Sequence, residues 1–188
     1  MKPKNYQDIL AETLIDQETL QKRVAELGDQ LSRDYAESQD LVLICILRGG
    51  MVFLVDLMRH ITVPHQVDFM AISSYGAGAR ETSGHVRLTL DLNTDIRDKD
   101  VLLVEDIIDS GHTISYVLEF LRTRQPRSLK ICTLLDKEER REVDVLIDYC
   151  GFTIPNKFVF GYGLDLDEYY RNLPFVGVVD LDKYQPPA

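Results

Sequence analysis

Glu105, Asp106, Asp109, Ser110, Gly111 and Thr113 fall within one short stretch, directly after the apolar run Val101-Leu-Leu-Val104. A continuously apolar run of this kind reads as a strand covered on both faces. In open α/β sheets ligands bind beyond the carboxyl ends of such strands. The turn Asp109-Ser-Gly-His-Thr113 leads into a helix, so its amides, its two hydroxyls and the helix dipole can surround a phosphate. Gly111 allows close backbone approach. The Walker pattern G-x-x-x-x-G-K-[ST] is missing, so this is a different phosphate seat. Carboxylates repel phosphate, so Glu105 and Asp106 need another purpose. Two adjacent acceptors can take hydrogen bonds from the hydroxyls of a vicinal diol. Mg²⁺, a hard ion that prefers oxygen ligands and phosphate, is a second purpose. Diol, phosphate and Mg²⁺ together describe a phosphorylated ribose. The blander alternative is a capped turn with no ligand.

The elements that must position these groups follow from hydrophobic pattern. Asp16 can cap a helix whose stripe is Leu20, Val24, Leu27 and Leu31. Leu41–Leu47 is a continuously apolar strand, stopped by Arg48-Gly49-Gly50 and followed by a helix over Met51–Ile61. Alternation predicts strands around Val67–Ala71 and Val86–Leu90, with the small, glycine-containing segment 73–84 between them as a mobile loop. A helix follows the 101–113 stretch to about Arg124, then a strand over Leu129–Leu135 and a charged turn over Lys137–Asp144. Two short strands, Phe158–Tyr162 and Phe175–Val179, close the chain. Strands alternating with helices predict an α/β fold with a mostly parallel central sheet flanked by helices. The expected division is one domain over 1–188, with a core at about 35–135 and hood elements at about 136–188.

Composition narrows the function. The 188 residues are 45% hydrophobic and 28% charged, an ordinary globular balance. Net charge is −10, which speaks against a broad nucleic-acid footprint; an anionic substrate then needs a metal or a few placed cations. The three cysteines have no metal spacing, and Cys45 and Cys132 lie inside apolar runs as small buried hydrophobes. The N-terminal stretch lacks the apolar core of a signal peptide, and no run is long enough to span a bilayer. A reducing cytoplasm is the expected location. The start of Val-Leu-Leu-Val-Glu-Asp106 also suits a phospho-accepting receiver domain, but too little chain follows for five β/α units.

The Val101–Thr113 stretch resembles the phosphoribosyl-pyrophosphate signature of type I phosphoribosyltransferases. The likeness narrows to the bacterial hypoxanthine(-guanine) branch through Leu47-Arg48-Gly49-Gly50, Ser74-Tyr75, Leu135-Asp136-Lys137, Ile154-Pro-Asn-Lys-Phe-Val159, Gly161-Tyr-Gly-Leu-Asp165 and Glu168-Tyr-Tyr-Arg171. It covers about residues 10 to 182. The resemblance implies that fold, with a hood built from the C-terminal and N-terminal segments, and purine salvage from phosphoribosyl pyrophosphate. It implies Mg²⁺ at Glu105, Asp106 and Asp165, and a homodimer or homotetramer without nucleic-acid or membrane partners.

Residue by residue, the resemblance gives the ribose hydroxyls to Glu105 and Asp106. Asp109 becomes the general base or acid at purine N7, and Asp109, Ser110, Gly111, His112 and Thr113 hold the 5′-phosphate. His112 stands where many relatives carry Lys, so its donor capacity depends on pH. Arg48, Gly49, Ser74, Tyr75 and Arg171 take the pyrophosphate, with 73–84 as a lid and a cis Leu47–Arg48 peptide among the family's features. Lys137 donates to purine O6, Phe158 stacks on the purine, and Val159 and Asp165 border it. By pattern alone, Lys137 reads as a surface lysine, Phe158 as a strand core aromatic and Arg171 as a solvated cation. Two rivals have their own signatures. A nucleic-acid-binding regulator on this fold needs a basic face. An adenine enzyme needs something other than a donor such as Lys137 at position 6.

Overall fold

The computed structural model describes residues 5–74 and 86–184. The chain opens with a short helix α1 (Tyr6–Ile9) and an edge strand β1 (Leu10–Ile15), followed by α2 (Gln17–Asp34). Asp16 caps α2 as expected, its carboxylate accepting from Thr19 N at 2.8 Å. Next come β2 (Leu41–Leu47), α3 (Met51–His60), β3 (His65–Ser74), β4 (Val86–Leu90), β5 (Asp100–Ile108) and α4 (His112–Arg122). The remaining elements are β6 (Ser128–Asp136), a 3-10 turn at Glu138–Arg140, β7 (Tyr149–Thr153), β8 (Val159–Phe160) and β9 (Val176–Val179).

Six strands form the main sheet in the order β4-β3-β2-β5-β6-β7. All neighbours are parallel except the β3–β4 pair at one edge. The continuous apolar runs of β2 and β5 therefore sit in the middle, covered on both faces. Leu41, Leu43, Cys45, Leu102 and Val104 pack with α2 and α3 residues such as Leu27, Leu31 and Leu54. Val42, Ile44, Val101 and Leu103 pack on the other face with Ile114, Val117 and Leu121 of α4. Side chains alternate across a strand, so one unbroken run feeds two cores.

The hood is a second, antiparallel sheet in the order β1-β9-β8. Tyr162 ties it to the core by donating from its hydroxyl to Asp56 of α3 at 2.8 Å.

Three features differ from the pattern reading. Strand β7 extends the main sheet past the expected core limit of 135, pairing Cys132 with Tyr149 and Leu135 with Phe152. Its sequence, Tyr-Cys-Gly-Phe-Thr153, has no alternation, because its place is fixed by pairing with β6. Strand β1 was likewise invisible, since it is stabilised by β9 at the far end of the chain. Strand β5 runs on through Glu105 and Asp106 to Ile108, so the acid pair lies within the strand and not beyond it. Most of the 73–84 segment falls outside the described residues.

Candidate active site

The carboxyl end of β5, the turn before α4 and the segment after β6 meet around one open crevice. It has a volume of about 310 Å³ and is lined by Glu105, Asp106, Asp109, Ser110, Gly111 and Thr113 together with Arg140 and Glu142. Gly111 adopts φ +91 in the left-handed region, which starts α4 abruptly. A Cβ there would stand 2.7 Å from Val143 O, because Glu142 N and Val143 N donate to Ser110 O at 2.9 and 3.0 Å. The charged segment thus folds over the turn that the sequence marked as a phosphate seat.

Glu105 and Asp106 are buried, each 8% exposed. Burial, with the Asp106 charge adding to it, pushes the Glu105 carboxyl well above its usual range. Burial likewise raises Asp106 to about 6, against hydrogen bonds from the Ile107 and Asp106 amides. Among the described residues Glu105 Oε2 has no hydrogen-bond partner. Such an orphaned buried acceptor fits a ligand hydroxyl or a cation. Among the described residues, no three His, Cys, Asp or Glu side chains gather into a metal cage. Mg²⁺ usually takes one or two carboxylates and completes its shell with water and phosphate oxygens. The buried pair Glu105 and Asp106 offers that number of carboxylates.

Asp109 is held by two cations. Lys137 Nζ lies 3.4 Å from one carboxylate oxygen and Arg140 Nε 3.1 Å from the other. Lys137 is not the surface lysine that its charged neighbourhood implies. It is 7% exposed, and its amide donates to Ile108 O at 2.9 Å, which turns it inward at the end of β6. The His112 ring stands 3.0 Å from a Glu142 carboxylate oxygen. Arg140 and Glu142 were not singled out from sequence, because within a charged run nothing separates a cleft residue from a solvated one.

A second cluster forms on the other side of Asp106. The Leu47–Arg48 peptide is cis. A Cβ on Gly49 would overlap the Asp106 carboxylate at 1.7 Å, and one on Gly163 would meet Gly49 O at 2.2 Å. Backbone therefore packs on backbone there, with Asp106 beside it. Arg171 donates to Gly163 O at 2.8 Å and pairs with Asp165 at 2.8 Å. Arg48 pairs with Glu168 at 2.6 Å. The fold thus brings Arg48, Gly49, Asp106, Asp165 and Arg171 together. Arg171 is a held residue and not a solvated cation, its side chain only 23% exposed.

Phe158 and Val159 belong to the hood. Phe158 is 44% exposed, so it is not the core aromatic that a strand position suggests; its ring lies 6.4 Å from that of Tyr184. Val159 is buried and pairs with Val178. Ser74 ends β3 opposite Val86. Tyr75 lies outside the described residues.

Residues 11–167 match the family model of the phosphoribosyl transferase domain. The chain belongs to the phosphoribosyltransferase family. This phosphoribosyltransferase is 53% identical over 171 residues to the hypoxanthine phosphoribosyltransferase of Salmonella typhimurium, covering 90% of this chain and 96% of that one. It is 48% identical over 185 residues to the hypoxanthine-guanine phosphoribosyltransferase of Mycobacterium bovis, covering 96% and 91%. The crystal structure of a hypoxanthine phosphoribosyltransferase from Staphylococcus aureus superposes with a TM-score of 0.91 at 41% identity, over 98% of this chain and 100% of that one. The phosphoribosyltransferase fold accounts for the mostly parallel sheet with a crevice at its strand ends. No helix among the described residues is long and apolar enough to cross a membrane.

Proposed function

We propose that this phosphoribosyltransferase is a purine salvage enzyme. It transfers the 5-phosphoribosyl group from phosphoribosyl pyrophosphate to hypoxanthine or guanine, giving IMP or GMP and pyrophosphate. The observation that carries this reading is the buried Lys137 amine 3.4 Å from the Asp109 carboxylate. O6 and N7 are neighbours on one edge of a 6-oxopurine; O6 accepts, and in the free base N7 can carry the proton. A donor for O6 and a carboxylate for a proton at N7, side by side, match that edge. Adenine presents an amine at position 6 and cannot accept from Lys137.

The remaining groups divide by the charge that each must meet. The turn Asp109–Thr113 receives the 5′-phosphate through amides and the hydroxyls of Ser110 and Thr113. Glu105 and Asp106 accept from the ribose hydroxyls. Arg48, the Gly49 backbone and Arg171 receive the diphosphate, with Ser74 and Tyr75 belonging to the lid over it. Phe158 stacks on the purine face, and Val159 and Asp165 border its edge. Glu105, Asp106 and Asp165 would hold magnesium, which neutralises charge on the diphosphate.

As the bond from ribose C1 to the diphosphate breaks, positive charge grows on the sugar and negative charge on the leaving group. Arg48 and Arg171 stabilise the leaving charge, and the nearby carboxylates tolerate the sugar cation. Asp109 takes the purine proton as N9 attacks, a role worth about 10²–10⁴ in rate. Closure by the lid excludes water, which competes by hydrolysis. The protein works in the cytoplasm as a homodimer or homotetramer.

A product assay tests the reading. Each of hypoxanthine, guanine, xanthine and adenine is supplied with phosphoribosyl pyrophosphate and Mg²⁺. IMP and GMP are the expected products. AMP at a comparable rate, or no nucleotide at all, overturns the assignment.

A further inference from the structure

One carboxylate oxygen joins the two guanidiniums assigned to the diphosphate. Glu168 Oε2 accepts from Arg48 Nη1 at 2.6 Å and from Arg171 Nη2 at 3.3 Å. Arg171 is independently held by Gly163 O and Asp165. Glu168 is therefore not needed to fix Arg171. What it adds is a negative charge at the point where two cations meet.

The backbone beneath Glu168 gives a second, independent observation. Leu166 and Tyr169 exchange both backbone hydrogen bonds at 3.1 Å. Between them Asp167 and Glu168 adopt φ +53 and +70. A two-residue turn with both central residues left-handed favours Asn and Gly. Glu168 is held in it by its amide, which donates to Asp165 Oδ2 at 2.9 Å. A charged residue kept where glycine fits without strain points to work for its side chain.

Resting on the diphosphate seat proposed above, we infer that Glu168 is a built-in placeholder for the diphosphate. Its carboxylate fills the gap between Arg48 and Arg171 while the seat is empty, and it swings away when substrate arrives. The Arg48 and Glu168 side chains are 69% and 61% exposed, so this latch is weak and opens readily. A diphosphate carries more charge and can engage both guanidiniums in bidentate fashion, so it displaces one carboxylate. The latch keeps two like charges together in the empty enzyme. It also competes with product pyrophosphate and so speeds its release.

Calorimetric titration of inorganic pyrophosphate with magnesium into the whole enzyme tests this, using Glu168→Gln and Glu168→Gly. Arg48→Gln and Arg171→Gln serve as controls for the seat. Both Glu168 variants are expected to bind pyrophosphate about three- to tenfold more tightly, with a smaller gain at high salt. KM for phosphoribosyl pyrophosphate falls while kcat does not rise, and IMP affinity is unchanged. Unchanged or weaker pyrophosphate binding in both Glu168 variants overturns the placeholder, as does parallel loss of pyrophosphate and IMP binding. If instead the two arginine variants bind pyrophosphate as the wild type does, the seat itself is misplaced and the inference falls with it.

Discussion

At the scale of single residues, Asp109 and Lys137 carry the strongest expectations. Asp109 bridges Lys137 and Arg140, so Asn at this position keeps a polar group of the same shape but cannot take a proton. Asp109→Asn is expected to lower turnover by about 10²-fold or more while leaving phosphoribosyl pyrophosphate affinity largely intact. Near-normal single-turnover rates remove the proton-transfer role. Lys137→Ala deletes a buried amine that is paired with Asp109. Its KM for hypoxanthine is expected to rise far more than its KM for phosphoribosyl pyrophosphate. An equal rise for both substrates argues against donation to O6. Lys137 also shows where sequence is silent: its neighbours Glu138, Glu139 and Arg140 are exposed and it is not, because its amide is tied to Ile108 O at the end of β5.

At the scale of elements, the proposed diphosphate seat is built by two loops in backbone contact. Gly163 has φ +97, and a Cβ there would stand 2.2 Å from Gly49 O. Gly163→Ala must therefore strain its own backbone, by about 1–3 kcal/mol, and push the Arg48–Gly49 loop aside. The expected outcome is a rise of about tenfold or more in KM for phosphoribosyl pyrophosphate and a smaller change for hypoxanthine, since backbone displacements this close to the reacting groups are costly. Steady-state kinetics with each substrate varied in turn distinguish this from a general loss of folded enzyme, which scales both alike. Local pattern announced β2, β5, α2 and α4, since each carries its own periodicity. It did not announce β1 or β7, which gain their order from partners distant in the chain.

At the scale of the whole molecule, the buried acid pair taxes stability so that the site exists. The Asp106 carboxyl ionises near 3.8 in an exposed state and at about 6 in the fold. Between those values the folded protein binds more protons than the unfolded one, so stability falls as pH rises through the window. Above it the cost levels off at about 3 kcal/mol. Asp106→Asn is expected to raise the Tm of the ligand-free protein at pH 7.5, by about 2–4 °C per kcal/mol, with the gain vanishing towards pH 4. A Tm difference that is the same at both pH values overturns the account. The sequence by itself determined the α/β class, the central strands, the acid pair and the turn into α4, because apolar runs, glycine and short-range spacing express themselves locally. Tertiary structure alone decided that Lys137 is buried, that Phe158 is exposed, that Arg140 and Glu142 line the cleft and that Glu168 joins Arg48 to Arg171. Each of those depends on which distant segment arrives to cover or meet the side chain, and no local pattern encodes that arrival.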